Sequence, residues 1–132
     1  MTSEHRFGTA INCIDGRVQQ PVADWVKKNY KVDYVDMVNE PGPDKVLSQP
    51  QYSIVNALKA KVSISINAHH SSVVVIAGHH SCAANPVTQE EHEAQIRNAV
   101  KEISSWKLPI TVVGLWIDSG WKAILLVTAP PK

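Results

Sequence analysis

The chain has 132 residues, of which 44% are hydrophobic and 19% are charged, with a formal net charge of +1 at pH 7. This length suits one domain over residues 1–132, which buries about two thirds of its unfolded surface and needs neither a metal nor a disulfide in order to fold. Since no long run of lysine or arginine accompanies the small net charge, the sequence argues against binding to nucleic acid or to an anionic membrane and favours a small-molecule ligand.

The N-terminal ten residues contain no apolar segment typical of a secretory signal peptide, and no apolar run in the sequence is long enough to cross a bilayer. We therefore expect a cytoplasmic protein. In the reducing cytosol, two cysteines that come near a histidine indicate metal or redox chemistry rather than a structural disulfide. Cys13 and Cys82 are accordingly predicted to be free or metal-bound.

The first half of the chain alternates between predicted strands and helices. A short strand is predicted over residues 7–12, and a helix that begins with proline is predicted over 21–30. Residues 32–39 alternate in hydrophobicity, as a second strand does. After a Pro-Gly-Pro turn, apolar residues at helical spacing predict a helix over 49–67, although 63–67 alone would also suit a strand.

The second half of the chain contains the clearest strand and the clearest helix. Residues 71–78 are apolar on both faces, as is typical of a central strand in a parallel sheet. Thr88 and Glu91 form a capping box ahead of a helix predicted over 93–106. These two elements extend the alternation of strands and helices.

Two apolar runs, at residues 108–118 and 120–128, close the chain. A Ser-Gly turn separates them, which favours an antiparallel hairpin at the edge of the sheet. The alternating elements predict an α/β fold with three layers, α/β/α, in which the central sheet is mostly parallel and carries this antiparallel edge hairpin.

Three candidate metal ligands follow two of the predicted strands. Cys13 comes after the first strand, and His79 and Cys82 come after the third. In such sheets the ligand site lies beyond the carboxyl ends of the strands, so we expect these side chains at the active site. Two thiolates and an imidazole suit zinc, and three protein ligands leave a fourth position open, as in catalytic zinc sites. Either cysteine taken singly is more typical of a small buried apolar residue.

Asp15 and Arg17 follow Cys13 at intervals of two residues. Asp15 is close enough to the candidate metal to be its fourth ligand or to accept a hydrogen bond from metal-bound water. Arg17 could hold this carboxylate in an ion pair and keep it ionised. The alternative is a structural salt bridge that only fixes the turn, and the spacing leaves both interpretations open.

Two short motifs in the chain resemble the signature motifs of the β-class carbonic anhydrases. They are CxDxR at residues 13–17 and GHxxC at residues 78–82. Residues 112–126 are also similar to the late strand, aspartate, glycine turn and final strand of that family, so that the similarity covers most of the chain. Either motif alone is a weak signal, whereas the two together are specific.

This resemblance implies a central parallel sheet, one zinc ion per subunit bound by Cys13, His79 and Cys82, and a catalytic dyad of Asp15 and Arg17. In that family, zinc lowers the pKa of bound water so that hydroxide forms near neutral pH and attacks carbon dioxide to give bicarbonate. The aspartate of the family either orients the hydroxide or becomes the fourth ligand. Family members are built on dimers in which the partner supplies part of each pocket, so the resemblance also implies a homodimer or a larger homo-oligomer.

The chain departs from the family at several positions. Residues 38–43 read VNEPGP where members typically carry an arginine, asparagine, alanine and glycine that help to shape the pocket. Ala83 replaces the usual glycine after the second cysteine, and His80 stands where a small or polar residue is more common. The first predicted strand lies almost at the start of the sequence, so the N-terminal helices that commonly embrace the partner are not expected.

Other histidines and one glycine have simpler interpretations. His92 lies in a charged helix start and is predicted to face solvent, and His69 with His70 is predicted to end a helix at the side of the sheet opposite the site. His80 could shuttle protons, but a position in solvent or at a subunit boundary is the more common outcome. Gly78 is predicted to allow a close approach of the backbone. The tryptophans are predicted to lie in the core or at an interface: Trp25, Trp106, Trp116 and Trp121.

Residue spacing argues against three other enzyme classes. A cysteine-dependent phosphatase needs an arginine six positions after its cysteine, where this chain has Gln19, and a thiol–disulfide enzyme needs neighbouring cysteines. A glycine-rich dinucleotide fingerprint is absent after the first strand. The resemblance to the β-class carbonic anhydrases implies a zinc lyase that hydrates carbon dioxide. The alternatives are a hydrolase of carbonyl sulfide or carbon disulfide and a non-catalytic or regulatory zinc-binding protein on the same fold.

Overall fold

The computed structural model describes residues 5–132. Its strands are β1 (Phe7–Asn12), β2 (Tyr34–Asn39), β3 (Val73–His79), β4 (Thr111–Ile117) and β5 (Ala123–Ala129). Its helices are α1 (Gln19–Tyr30), α2 (Pro43–Ser48), α3 (Tyr52–His69) and α4 (Gln89–Ser104). Residues 1–4 belong to the segment predicted to lack a signal peptide and lie outside the described residues. The single domain over residues 1–132 stays a prediction.

The strands form one sheet with the order β2-β1-β3-β4-β5. β1 pairs in parallel with β2 and with β3, and β3 pairs in parallel with β4. β5 runs antiparallel to β4 at one edge. Every residue of β3 is buried, which explains why its sequence is apolar on both faces. The predicted mostly parallel sheet with an antiparallel edge hairpin is confirmed.

Helices cover both faces of the sheet and enclose two apolar cores. On one face, α1 packs through Val22 and Val26 against buried residues of β1, β3 and β4. On the other face, α2, α3 and α4 pack together, and Leu58, Val62 and Ile103 are buried there. The sheet is therefore the middle of three layers, as predicted.

The helix α3 settles an ambiguity of the sequence. Residues 63–67, whose alternation also suited a strand, are helical, because Val62 and Ser65 continue the buried face of the helix into this segment. α3 is 18 residues long. No helix within residues 5–132 combines the length and the apolar character needed to span a membrane.

The ends of the other elements lie close to their predicted positions. β1 has its predicted bounds, and α1 starts at Gln19, two residues before the predicted proline. α4 starts at Gln89 rather than at residue 93, and its N-cap is Thr88, as the capping box predicted. The Thr88 side chain accepts a hydrogen bond from the backbone N–H of Glu91 at 3.1 Å, which satisfies one of the free N–H groups of the first turn.

The short helix α2 was not predicted, because the sequence interpretation treats residues 41–43 as a turn. Gly42 precedes the helix with a φ of +54°, a conformation that glycine adopts at little cost. Pro43 is the first helical residue, where its missing N–H has no helical partner to lose. Asp44 and Leu47 of this helix are buried, so α2 contributes to the interior.

Candidate metal centre

The candidate ligands Cys13, His79 and Cys82 converge at the carboxyl ends of β1 and β3. These two strands are adjacent and parallel, so their carboxyl ends open at the same edge of the sheet. Cys13 directly follows β1, His79 is the last residue of β3, and Cys82 lies in the next loop. One potential ligand atom from each residue lies within 4.8 Å of the other two, and all three residues are buried.

The two cysteines are free thiols whose Sγ atoms are 4.0 Å apart, far beyond the S–S bond length of about 2.05 Å. Burial, together with the neighbouring Cys13, raises the pKa of the Cys82 thiol to about 11. A thiol in this environment needs a nearby positive charge to become a thiolate. A metal cation between the two sulfur atoms would supply that charge.

The imidazole of His79 is oriented as a metal ligand requires. Its Nδ1 lies 2.8 Å from the backbone carbonyl of His80, and since a carbonyl only accepts, Nδ1 carries the proton and donates it. Nε2 then bears a lone pair. This atom is buried and has no hydrogen-bond partner within residues 5–132, which is uncommon for a buried polar atom. The donor set of two thiols and an unpartnered imidazole nitrogen fits a zinc ion.

Asp15 and Arg17 form a two-pronged ion pair beside this cluster. Arg17 Nη2 donates to Asp15 Oδ2 at 2.6 Å, and Arg17 Nε donates to Asp15 Oδ1 at 3.0 Å. The backbone N–H of Arg17 also donates to Asp15 Oδ1, at 2.9 Å. Hydrogen bonding by Arg17 lowers the pKa of Asp15 to about 2, so that the carboxylate stays ionised. The Arg17 side chain is 50% exposed and the Asp15 side chain 18% exposed.

Two amides that the sequence interpretation missed hold the segment from Cys13 to Asp15 in place. Gln19 Nε2 donates to the backbone carbonyls of Cys13 at 2.7 Å and Asp15 at 2.8 Å. Asn39 Nδ2 donates to the carbonyl of Cys13 and to Gln19 Oε1, both at 3.0 Å. Asn39 lies within the VNEPGP segment that departs from the family. Gln19 follows the CxDxR motif by two residues, which is a signal in the sequence for this role, whereas Asn39 comes 22 residues after the motif and has no such signal.

His92 is buried, and the prediction that it faces solvent is wrong. Only 1% of its surface is exposed, and its Nδ1 lies 2.6 Å from Oδ2 of the equally buried Asp44. Asn85 Nδ2 donates to Asp44 Oδ1 at 3.0 Å. The unpredicted helix α2 brings Asp44 against the first turn of α4, which turns His92 inward. The charged residues next to His92 in the sequence therefore do not indicate the environment of its side chain.

Gly78, next to His79, allows the close approach that was predicted, although it lies within β3 rather than in a turn. A Cβ atom at this position would lie 2.5 Å from Asp44 Oδ2 and 2.9 Å from Ile96 Cδ1. The buried side chains of Asp44 and Ile96 thus lie close to the backbone just before a candidate ligand. Only glycine leaves room for this contact.

The remaining predicted residues lie as follows. His80 is exposed, with its ring 6.4 Å from that of Trp121. His69 ends α3 and His70 caps it, which confirms the helix C-terminal pair. The predicted burial of tryptophans holds fully for Trp116, which is 2% exposed, whereas the other three are partly buried.

One family model matches almost the whole chain. Residues 3–127 match the family model described as "Putative carbonic anhydrase". No curated protein matches the sequence significantly.

Solved structures with a similar fold include three carbonic anhydrases. The enzyme from Glaciozyma antarctica has a TM-score of 0.58 and 14% identity, over 90% of this chain and 81% of that one. A tetrameric β-carbonic anhydrase from Sordaria macrospora has a TM-score of 0.55 and 13% identity, over 97% and 84% of the two chains. The Coccomyxa β-carbonic anhydrase in complex with acetazolamide has a TM-score of 0.55 and 13% identity, over 98% and 76%. At these identities the likeness is one of fold.

Proposed function

The chain belongs to the carbonic anhydrase family whose model matches residues 3–127, and on this premise we propose that it is a zinc lyase that interconverts carbon dioxide and bicarbonate. The observation that carries the proposal is the buried Nε2 of His79, which has no partner within the described residues and belongs to a cluster with two thiols. A cluster of two sulfur atoms and one imidazole nitrogen is a donor set that zinc prefers.

In this proposal each residue of the site has a separate task. Cys13, His79 and Cys82 hold the zinc ion, and the carbonyl of His80 keeps the His79 ring oriented through its Nδ1. Zinc held there supplies a Lewis acid that makes hydroxide available near neutral pH for addition to carbon dioxide. Asp15 provides an ionised hydrogen-bond acceptor beside the site, and Arg17 keeps that carboxylate in position.

A second candidate function is a zinc-binding protein without turnover, of a structural or regulatory kind. It is favoured by the burial of the cluster, because Cys13, His79 and Cys82 are only 3%, 1% and 3% exposed. Structural zinc sites are closed, whereas catalytic sites keep an open position. A hydrolase of carbonyl sulfide or carbon disulfide would use the same residues as the lyase.

The test is zinc content together with stopped-flow hydration of carbon dioxide by the purified protein. We expect one zinc ion per chain and measurable hydration, and we expect Cys82→Ser to lose both. Bound zinc without hydration would favour the other linear substrates or the non-catalytic function. Absence of any metal from the protein, after growth with zinc, would contradict all of these functions.

The functional form that we propose is a homodimer or a larger homo-oligomer. The neighbour from Sordaria macrospora is described as tetrameric. In this chain the two edge strands carry exposed apolar side chains, with Tyr34 on β2 and Ile124 and Leu125 on β5. Such residues are typical of surfaces that another chain covers. The cytoplasmic location stays a prediction from the sequence.

A further inference from the structure

The Arg17 side chain has two partners besides Asp15, namely Ser81 and Trp121. Its Nη2 donates to the backbone carbonyl of Ser81 at 3.2 Å, in the loop that carries Cys82. Its guanidinium carbon lies 4.6 Å from the centre of the Trp121 ring, a distance at which a cation is attracted by the ring face. The side chain that fixes Asp15 is therefore itself fixed by two separate segments.

The backbone at Ser81 and Trp121 is unusual. In the described part of the chain, five non-glycine residues have a positive φ. Three of these follow or cap helix ends, where the left-handed conformation is common: Lys31, His70 and Lys107. The other two are Ser81, with φ 58°, and Trp121, with φ 60°. For a bulky residue such as tryptophan this conformation is strained, and strain of this kind concentrates at functional sites.

The turn between β4 and β5 maintains the strained conformation of Trp121. Asp118 Oδ1 accepts hydrogen bonds from the backbone N–H of Gly120 at 2.8 Å and of Lys122 at 3.0 Å. The N–H of Trp121 donates to the carbonyl of Asp118 at 2.9 Å. Trp121 also packs against the apolar core that contains both cysteines. The hairpin thus presents the indole ring to Arg17 in a fixed position.

We propose that Trp121 is a positioning residue that holds Arg17 on Asp15 and thereby keeps the Asp15 carboxylate away from the metal, so that the fourth coordination position stays open to a small anion or to water. The inference rests on the proposed zinc site. In the proposed zinc site the Asp15 carboxylate would have two competing partners, the observed guanidinium and the metal cation, and any contact that stabilises Arg17 in its observed position favours the first. A cation–π contact at an exposed site shifts such an equilibrium by about two- to five-fold.

The experiment uses the full chain loaded with cobalt in place of zinc, because the absorption spectrum of cobalt reports its ligands. Thiocyanate is the probe for the open position, and its dissociation constant is read from the spectral change. We expect Trp121→Leu to raise this constant by about two- to five-fold. Trp121→Phe keeps an aromatic ring over Arg17 and is expected to stay close to the wild type. Trp25→Leu is the matched control, since Trp25 packs against the same core.

A second pair of variants separates positioning from general damage to the fold. In an Asp15→Asn background no carboxylate competes for the metal, so Trp121→Leu is expected to have no further effect on thiocyanate binding. An equal effect in both backgrounds would overturn the inference. If Trp121→Leu does not fold, Asp118→Ala releases the same turn without touching Arg17 and is expected to act in the same direction.

The outcomes distinguish this inference from the proposed function. Failure of the wild-type protein to bind cobalt contradicts the zinc site and the inference together. Cobalt binding with a thiocyanate constant that does not respond to Trp121→Leu overturns the role of Trp121 and leaves the zinc site standing.

Discussion

Asp15 forms an ion pair with Arg17 and lies two residues after the candidate metal ligand Cys13. Asp15→Asn keeps the size of the side chain and removes its charge. If the carboxylate is the acceptor that we propose, this variant should still bind zinc and lose at least about 100-fold in carbon dioxide hydration, which is the usual scale for a positioned proton acceptor. Stopped-flow rates and zinc content measure both effects.

Asp24→Asn is the matched control for that substitution. Asp24 is an exposed aspartate on α1 that accepts a hydrogen bond from Gln20 at 2.8 Å, and its replacement should leave hydration unchanged. Unchanged turnover in Asp15→Asn would contradict the role assigned to Asp15.

At Gly78 we expect a substitution to lower the stability of the fold. A methyl group there would collide with Asp44, whose carboxylate is held by His92 and Asn85 and has no room to retreat. Gly78→Ala should therefore lower the free energy of unfolding by about 1–3 kcal/mol, as measured by urea denaturation. Gly16→Ala is the control, because a Cβ at Gly16 has no atom within 4 Å. Equal stability of the two variants would contradict the packing described for Gly78.

At the scale of elements, the Asp44 and His92 pair ties α2 to α4 behind the site. His92→Ala should leave Oδ2 of the buried Asp44 without its ring partner and cost about 1–3 kcal/mol of unfolding free energy. Glu90→Ala, at an exposed position in the same turn of α4, should change it by no more than about 0.5 kcal/mol. Thermal or urea unfolding compares the two. A loss below about 1 kcal/mol in His92→Ala would show that the pair is not a stabilising contact.

The helices and strands themselves could be read from local patterns, with one exception. An apolar run predicts β3, and a capping box predicts the start of α4. Both signals are formed by neighbouring residues. α2 carries no such signal. Its six residues are too few to show a helical period, and Pro43 together with the preceding Gly42 suggests a turn. Missing this element also hid the surroundings of His92.

At the scale of the whole molecule, metal binding should stabilise the fold. A ligand that binds only the folded state adds about 4 kcal/mol when it is present at about a thousand times its dissociation constant. Removal of zinc with a chelator should therefore lower the melting temperature by about 15 °C in a domain of this size. Cys82→Ser should show no change on addition or removal of zinc. A wild-type melting temperature that is independent of zinc would contradict binding at this site.

We expect the proposed oligomer to depend on the exposed apolar residues of the edge strands. Tyr34→Asp on β2 and Leu125→Asp on β5 each place a charge on an exposed apolar position of an edge strand, and at least one of them should reduce the oligomer to a smaller species in light scattering. Ile64→Asp is the control, because Ile64 is also an exposed apolar residue but lies on α3. A wild-type protein that is monomeric at every concentration tested would contradict the proposed oligomer.

In the candidate site, as in the fold, local sequence patterns predicted some features and missed others. Cys13, Asp15 and Arg17 are neighbours in sequence, so their spacing predicted an ion pair that the structure contains. Gln19 and Asn39 support the same segment but have no motif of their own. Whether the cluster binds zinc and whether Asp15 is catalytic stay predictions, since both depend on chemistry beyond the positions of atoms.

The alternation of strands and helices, the parallel sheet and the candidate ligands could be predicted from the amino-acid sequence, because hydrophobic period and short motifs are properties of neighbouring residues. The contacts between distant residues became visible only in the folded chain. His92 and Asp44 are 48 positions apart, and Trp121 reaches Arg17 from the opposite end of the chain. Such contacts follow from how layers pack and how turns aim side chains, and these are settled by the fold as a whole rather than by any local pattern.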